Sequence, residues 1–207
     1  AFAVANRQPS VMQSSAVANR QPSAMQSSAV RPLQVALTFD DGPHQTCTPA
    51  LLNGLKQREV KATFFLMGEN IAGKEPLVQR MQAEGHLIGN HTFHHVQLTK
   101  VSEEEAREEV VKTSNAIYEI TGEYPVYIRP PFGEWREGLD LAVTMIPVLW
   151  DVDSRDWESQ NTASICSAVL PNVKDGSIIL MHDGYRATVE ALRRILKELK
   201  EEGYTFV

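Results

Sequence analysis

The sequence predicts a parallel α/β fold, and two observations carry that expectation. From Val30 onward, short apolar runs alternate with longer stretches that repeat at helical spacing. Each apolar run is followed at once by polar, ionisable or Pro/Gly-rich residues. Strands whose C-terminal ends open onto one shared face, as in a parallel barrel, give this pattern.

Leu33–Phe39 reads as a buried strand ending at Asp40 and Asp41, and Pro49–Arg58 as a helix with Leu51, Leu52 and Leu55 on one face. Ala62–Leu66 is a second strand, Pro76–Glu84 a helix stopped by Gly85, and His86–Gly89 a third strand. Ser102–Thr121 is a long amphipathic helix, with Ser102 and Glu105 spaced as a capping box and Gly122 as its stop. Val126–Ile128 and Met145–Trp150 read as strands, Thr162–Leu170 as a helix and Ser177–Met181 as a strand. Ala187–Glu202 is a helix, and Tyr204–Val207 begins a last strand. The total is about seven strands and six or seven helices.

The 207 residues suit one domain with a tail, and 43% hydrophobic residues suffice for a sizeable core. Residues 3–15 recur almost unchanged at 16–28, with Ala24 in place of Val11. Two polar copies are too few for a solenoid, so residues 1–30 read as a repeated tail or linker and 31–207 as the domain. A net charge of -6 excludes nucleic acid as the expected partner, because phosphate binding needs a basic face. No run reaches the roughly 18 apolar residues of a membrane span, and no signal peptide is visible. Cys47 and Cys166 could pair, but two isolated cysteines make no disulfide framework, and the plainer reading is two free or buried thiols.

Five segments at strand ends carry ionisable or rigid residues: 40–43, 91–95, 129–133, 151–157 and 182–184. Asp40 and Asp41 offer one carboxylate for a metal and one to act as base. His91 and His95 stand four apart, so a helical segment after Gly89 would place both imidazoles on one face. Four of the six histidines fall within residues 86–95. Asn90-His91-Thr92 matches a glycosylation sequon, but a glycan there would block the site. Arg129 precedes two prolines and can hold a free aspartate ionised, while the Phe132 N–H can face a developing oxyanion. Trp157 beside Asp156 suits a sugar or acetyl pocket, with an apolar wall and a polar handle. His182 can protonate a leaving amine if Asp156 or Asp153 keeps it charged.

With its five motifs in order, the chain resembles the polysaccharide deacetylases of carbohydrate esterase family four, the NodB-homology domain. The motifs are Thr38–Pro43, His91–His95, Arg129–Gly133, Asp153–Trp157 and Leu180–Asp183. The resemblance covers residues 33–207 and implies a deformed (β/α) barrel of seven or eight parallel strands. It implies a divalent metal, zinc foremost with cobalt or another ion as alternatives, held by Asp41, His91 and His95. Asp40 would be the general base positioned by Arg129, and His182 the general acid tuned by Asp156. Trp157 and Leu180 would wall the acetyl pocket, with Pro131 and Phe132 also facing substrate. Phe132 stands where the family more usually has tyrosine.

The implied activity is removal of N-acetyl groups from N-acetylglucosamine units of a polysaccharide, peptidoglycan first and chitin oligosaccharides next. Such a substrate implies an extracellular or envelope location. The competing readings are an acetylxylan O-esterase and a catalytically silent carbohydrate-binding domain.

Overall fold

In the computed structural model the described residues are 31–207; the repeat at 3–28 lies outside them. Strand β1 (Leu33–Gly42) occupies the middle of the sheet, and its composition explains why. Val35, Leu37 and Phe39 are fully buried on one face, and Thr38 and Asp40 are buried on the other. A strand covered on both faces is what a parallel sheet with crossover helices requires.

β1 pairs in parallel with β2 (Thr63–Leu66), β7 (Ser177–His182) and β8 (Tyr204–Phe206), the last along Leu33–Val35 only. The remaining strands are β3 (Leu87–Asn90), β4 (Tyr127–Ile128), β5 (Ile146–Pro147) and β6 (Val152–Asp153). The order is β5-β4-β3-β2-β1-β7-β6, with β8 off that path. No pairing joins β5 to β6 among the described residues, so the eight-stranded sheet curls into an incomplete, deformed (β/α) barrel.

The helices are α1 (Cys47–Lys56), α2 (Glu75–Ala83), α3 (Glu103–Thr121), α4 (Asp156–Ser159), α5 (Thr162–Val169) and α6 (Arg186–Glu201). In α6 the buried positions Thr188, Ala191, Leu192, Ile195, Leu196 and Leu199 recur at helical spacing. All of these but Thr188 join Leu51, Leu52 and Leu55 of α1 against Val35, Leu37 and Phe39 in the main core. Each such leucine or isoleucine contributes about 1.5–3 kcal/mol by leaving water. A smaller cluster of Leu98, Ala106, Val110, Ile128 and Leu141 lies where the chain leaves β3.

The ends of α3 follow the sequence reading. The Ser102 hydroxyl accepts from the Glu105 N–H at 3.1 Å, and three glutamates in the first turn complement the helix dipole. Gly122 ends the helix in the left-handed conformation, φ 73°.

Two expectations need correction. Met145–Trp150 is not one strand: only Ile146–Pro147 pairs with β4, and β6 at Val152–Asp153 was not foreseen. Pro147 has no N–H for a ladder, and the carbonyls of Val148 and Leu149 turn to the Arg129 side chain instead. The segment after Gly89 is likewise not helical, because Thr92 and His95 sit at φ 63° and 57°. Cys47 and Cys166 are free, buried thiols, as the sequence reading had it.

Candidate active site

The C-terminal end of β1 solves a geometric problem. Adjacent residues on a regular strand point to opposite faces, yet Asp40 and Asp41 line one cavity. The β1–β2 register shifts between Asp40 and Gly42, and Asp41 takes φ 70°. This bulge turns the second carboxylate to the side of the first. A side chain at Gly42 has no room, since its Cβ would lie 2.2 Å from Asp183 Oδ2. Asp183 is fully buried, accepts from the Thr48 hydroxyl at 2.6 Å and donates its N–H to the Asp40 carbonyl. Burial pushes its carboxyl up to about 7.

Arg129, at the end of β4, is wholly buried and locked on every side. Its guanidinium donates to Asp40 Oδ1 at 2.9 Å, the Thr38 hydroxyl at 2.5 Å, and the Val148 and Leu149 carbonyls at 3.1 and 3.0 Å. It lies 4.4 Å from the centre of the Phe65 ring. Burial pulls the guanidinium below its usual range, against the Asp40 charge that favours it.

The loop after β3 carries His91 and His95. Asn90, fully buried, donates to the Val110 carbonyl and the Ser114 hydroxyl and accepts from the Thr92 N–H at 2.8 Å. Those bonds leave the sequon asparagine no access to a glycan. From α3, Glu109 accepts from the N–H groups of Phe93 and His94 at 2.9 and 2.7 Å and pairs with His94 Nδ1 at 2.6 Å. Sequence reasoning missed Glu109, which there looks like one more glutamate in a charged run. Its 7% exposure is the signal that separates it from its neighbours.

Three ligand atoms converge: Asp41 Oδ1 lies 3.3 Å from His91 Nε2 and 3.6 Å from His95 Nε2. Asp41 Oδ1 is buried and has no hydrogen-bond partner, an orphan that a cation would satisfy. His91 Nδ1 lies 2.6 Å from the Arg129 carbonyl; donating there leaves the Nε2 lone pair free for a metal. Burial disfavours charge on His91, but the Asp40 and Asp41 carboxylates outweigh it and raise its pKa. One carboxylate and two imidazoles with an open side fit a divalent cation of the zinc type.

Across the cavity, His182 Nδ1 meets Asp156 Oδ1 at 2.6 Å, and the His182 N–H donates to Asp156 Oδ2 at 2.8 Å. Thr188 and the Trp157 N–H complete the fully buried Asp156 carboxylate. Burial works against charge on His182, yet the Asp156 bond wins and pushes its pKa up to about 9. Of the two carboxylates the sequence left open, Asp156 is the partner; Asp153 accepts from the Arg155 N–H instead.

Between these groups lies a cavity of about 390 Å³. Trp157, Leu180, Phe132 and Trp150 give it apolar walls. Phe132 is 64% exposed, at φ 63°, with its ring 4.8 Å from that of His95. Pro131, expected on the substrate side, is buried in the turn at Pro131–Gly133, and Pro130 lines the cavity in its place. Trp150 also escaped the sequence reading. It lies under Gly133, whose Cβ would come 3.0 Å from the indole.

Comparisons to known proteins point to one family. Residues 28–145 match the polysaccharide deacetylase family. The chain is 40% identical over 174 residues to the peptidoglycan-N-acetylglucosamine deacetylase PgdA of Listeria monocytogenes, across 84% of this chain and 37% of that protein. It is 37% identical over 189 residues to a chitooligosaccharide deacetylase of Bradyrhizobium, across 82% of this chain and 86% of that one. The structure of the peptidoglycan deacetylase PdaC from Bacillus subtilis superposes with a TM-score of 0.82 at 38% identity, covering 85% of this chain and 87% of that one. The chain thus spans well under two thirds of the Listeria relative, while the Bradyrhizobium one is matched over nearly its whole length. This chain belongs to the polysaccharide deacetylase family.

Proposed function

We propose that residues 31–207 form a metal-dependent hydrolase that removes N-acetyl groups from N-acetylglucosamine units of a polysaccharide. Peptidoglycan is the favoured polymer and chitin oligosaccharides come next, which makes the extracellular space or cell envelope the place of action. The observation that carries this reading is the opposition, across one cavity, of the Asp41–His91–His95 cluster and the His182–Asp156 pair. One side suits an electrophile and a nucleophilic water, and the other suits a leaving amine.

Asp41, His91 and His95 would hold the cation; zinc fits these donors best, and cobalt or another divalent ion is an alternative. When bound, the ion supplies Lewis acidity that lowers the pKa of a water and polarises the acetamide carbonyl. Asp40, fixed by Arg129, takes the proton of the attacking water. The Phe132 N–H, in a turn stiffened by Pro130 and Pro131, donates to the oxygen on which charge develops. His182, held charged by Asp156, passes its proton to the sugar nitrogen as the C–N bond breaks. Acetate and a free amine result. Trp157 and Leu180 wall the space for the acetyl methyl group.

Acetate release from N-acetylglucosamine pentamer, peptidoglycan and acetylxylan tests the reading, using metal-stripped protein with and without added zinc or cobalt. Metal-dependent release from the first two supports an N-deacetylase, and their ratio ranks the polymers. Release from xylan alone would make the protein an esterase. Silence on all three with metal bound would leave a carbohydrate-binding domain.

A further inference from the structure

The cleft does not end at the acetyl cavity. On the far side of Asp41 and His182 lies a second cavity of about 260 Å³. Its other lining residues include His44, Asn70, Lys74 and Tyr185, from the β1–α1 loop, the turn after β2, the start of α2 and the β7–α6 loop. Asp41 and His182 line both cavities, so the two spaces meet at the proposed reacting centre. A polymer held with one acetamide at that centre must place a neighbouring sugar somewhere along the cleft.

The two lobes differ in chemistry. The acetyl cavity is lined by the carboxylates of Asp40, Asp41 and Asp153. The second lobe has Asp41 as its one carboxylate, a group the proposed cation would neutralise, and is otherwise rich in donors. Lys74 Nζ uses one donor on the Asn70 carbonyl at 2.7 Å and makes no ion pair among the described residues. His44 Nδ1 faces the N–H groups of Cys47 and Thr46 at 3.2 and 3.3 Å. Accepting them puts the ring proton on Nε2, which becomes a donor. Tyr185 adds a ring 6.1 Å from that of His182 and a phenol whose pKa burial raises, keeping it a donor. Asn70 Nδ2 ties this wall to the Asp41 carbonyl at 2.8 Å. A cation with no close ion pair, whose charge is otherwise felt by Glu75 beside it, makes with these added donors a local site for an anion in a chain of net charge -6.

We propose that this second lobe binds the acidic substituent of the sugar next to the one being deacetylated, with Lys74 as the residue that recognises it. The inference rests on the deacetylase reading above. In peptidoglycan that neighbour carries a lactyl group, whose carboxylate is free or extended by a peptide bearing carboxylates of its own. In chitin the neighbour is neutral. Lys74 therefore sets preference between the two polymer classes, while the acetyl cavity treats their acetamides alike.

The test compares wild type, Lys74→Met and Lys74→Arg on three tetrasaccharides. These are N-acetylchitotetraose, the alternating N-acetylglucosamine–N-acetylmuramic acid tetrasaccharide without peptide, and the same with its peptide. The expected result is a fall of about tenfold in the acidic-to-neutral ratio of kcat/KM in Lys74→Met, as for loss of one hydrogen bond to a charged group. Lys74→Arg retains most of the ratio. A fall on the peptide-free substrate assigns the anion to the lactyl carboxylate, and a fall on the peptide-bearing one alone assigns it to the peptide. An unchanged ratio in Lys74→Met overturns the proposal. Calorimetric titration of the same three sugars into zinc-loaded Asp40→Asn, with and without Lys74→Met, reads the lobe without turnover. Lysine-dependent preference there, beside a wild type that releases no acetate, keeps the lobe and rejects the deacetylase reading. No preference there rejects the lobe whatever the activity.

Discussion

Asp40 and His91 come within 3.8 Å of each other, yet opposite means hold them in place. Asp40 stands on the central strand, paired in register to Phe65 and His182, with Arg129 clamped to its carboxylate. His91 and His95 stand on a loop with two residues at positive φ and little ladder of its own. That loop is shaped by side chains, Asn90 beneath it and Glu109 from α3. The sheet fixes the proposed base through many small contributions, whereas the proposed metal half leans on two buried polar groups. Loss of one chemical group should therefore behave differently in each half.

The largest effect is expected at Asp40. Asp40→Asn should lower kcat by about 10²–10⁴-fold, the usual worth of a positioned base, while zinc still binds at one per chain. Substantial turnover in this variant would refute the base assignment. Glu109→Ala should do the reverse. It leaves three donors of the loop without their carboxylate, and zinc affinity should fall by about 10–100-fold. Fluorescent chelator competition would read that loss, and Glu109→Gln should recover part of it. An unchanged affinity would mean that the loop holds its shape without α3.

The proposed acid side gives a pH signature. His182 has its pKa raised to about 9 from 6.5, so its contribution to stability is complete below about pH 6.5 and is lost as pH rises through 9. The shift corresponds to about 3 kcal/mol. Asp156→Asn removes the charge that outweighs burial, so the basic limb of the kcat profile should move down by about one to three pH units. A profile unmoved by this variant would separate Asp156 from the acid role. The smallest effect is expected far from the chemistry. Ser102→Ala should cost about 1 kcal/mol through the lost α3 cap, read by urea unfolding, with kcat nearly unchanged.

The same contrast explains what the sequence could tell. Strand ends were legible because apolar runs stop abruptly at Asp40, Arg129 and His182, and parallel strands put those ends on one face. The residues alone left Asp156 level with Asp153, and only the family resemblance singled out Asp156, because a difference of three positions at the start of a four-residue helix decides which carboxylate reaches His182. The bulge at Asp41 and the positive φ of Thr92 and His95 were illegible, since none of these residues is a glycine. The four-residue histidine spacing therefore pointed to a helix where a loop stands. Glu109 and Trp150 were hidden for a related reason. Each acts through a contact made by the fold rather than by local spacing, with Glu109 reaching back 15 and 16 residues along the chain. Residue type and order carried the chemistry, and tertiary contacts carried its alignment.

The central claim is that Asp41, His91 and His95 hold one catalytic cation. The direct test is to titrate zinc into metal-stripped protein while following both heat and acetate release from N-acetylglucosamine pentamer. The account predicts that activity rises from zero and saturates at one equivalent, together with the binding heat, and that Asp41→Ala abolishes both. Full acetate release from protein shown to be metal-free, or saturation of binding at one zinc with no release from pentamer or peptidoglycan, would contradict it.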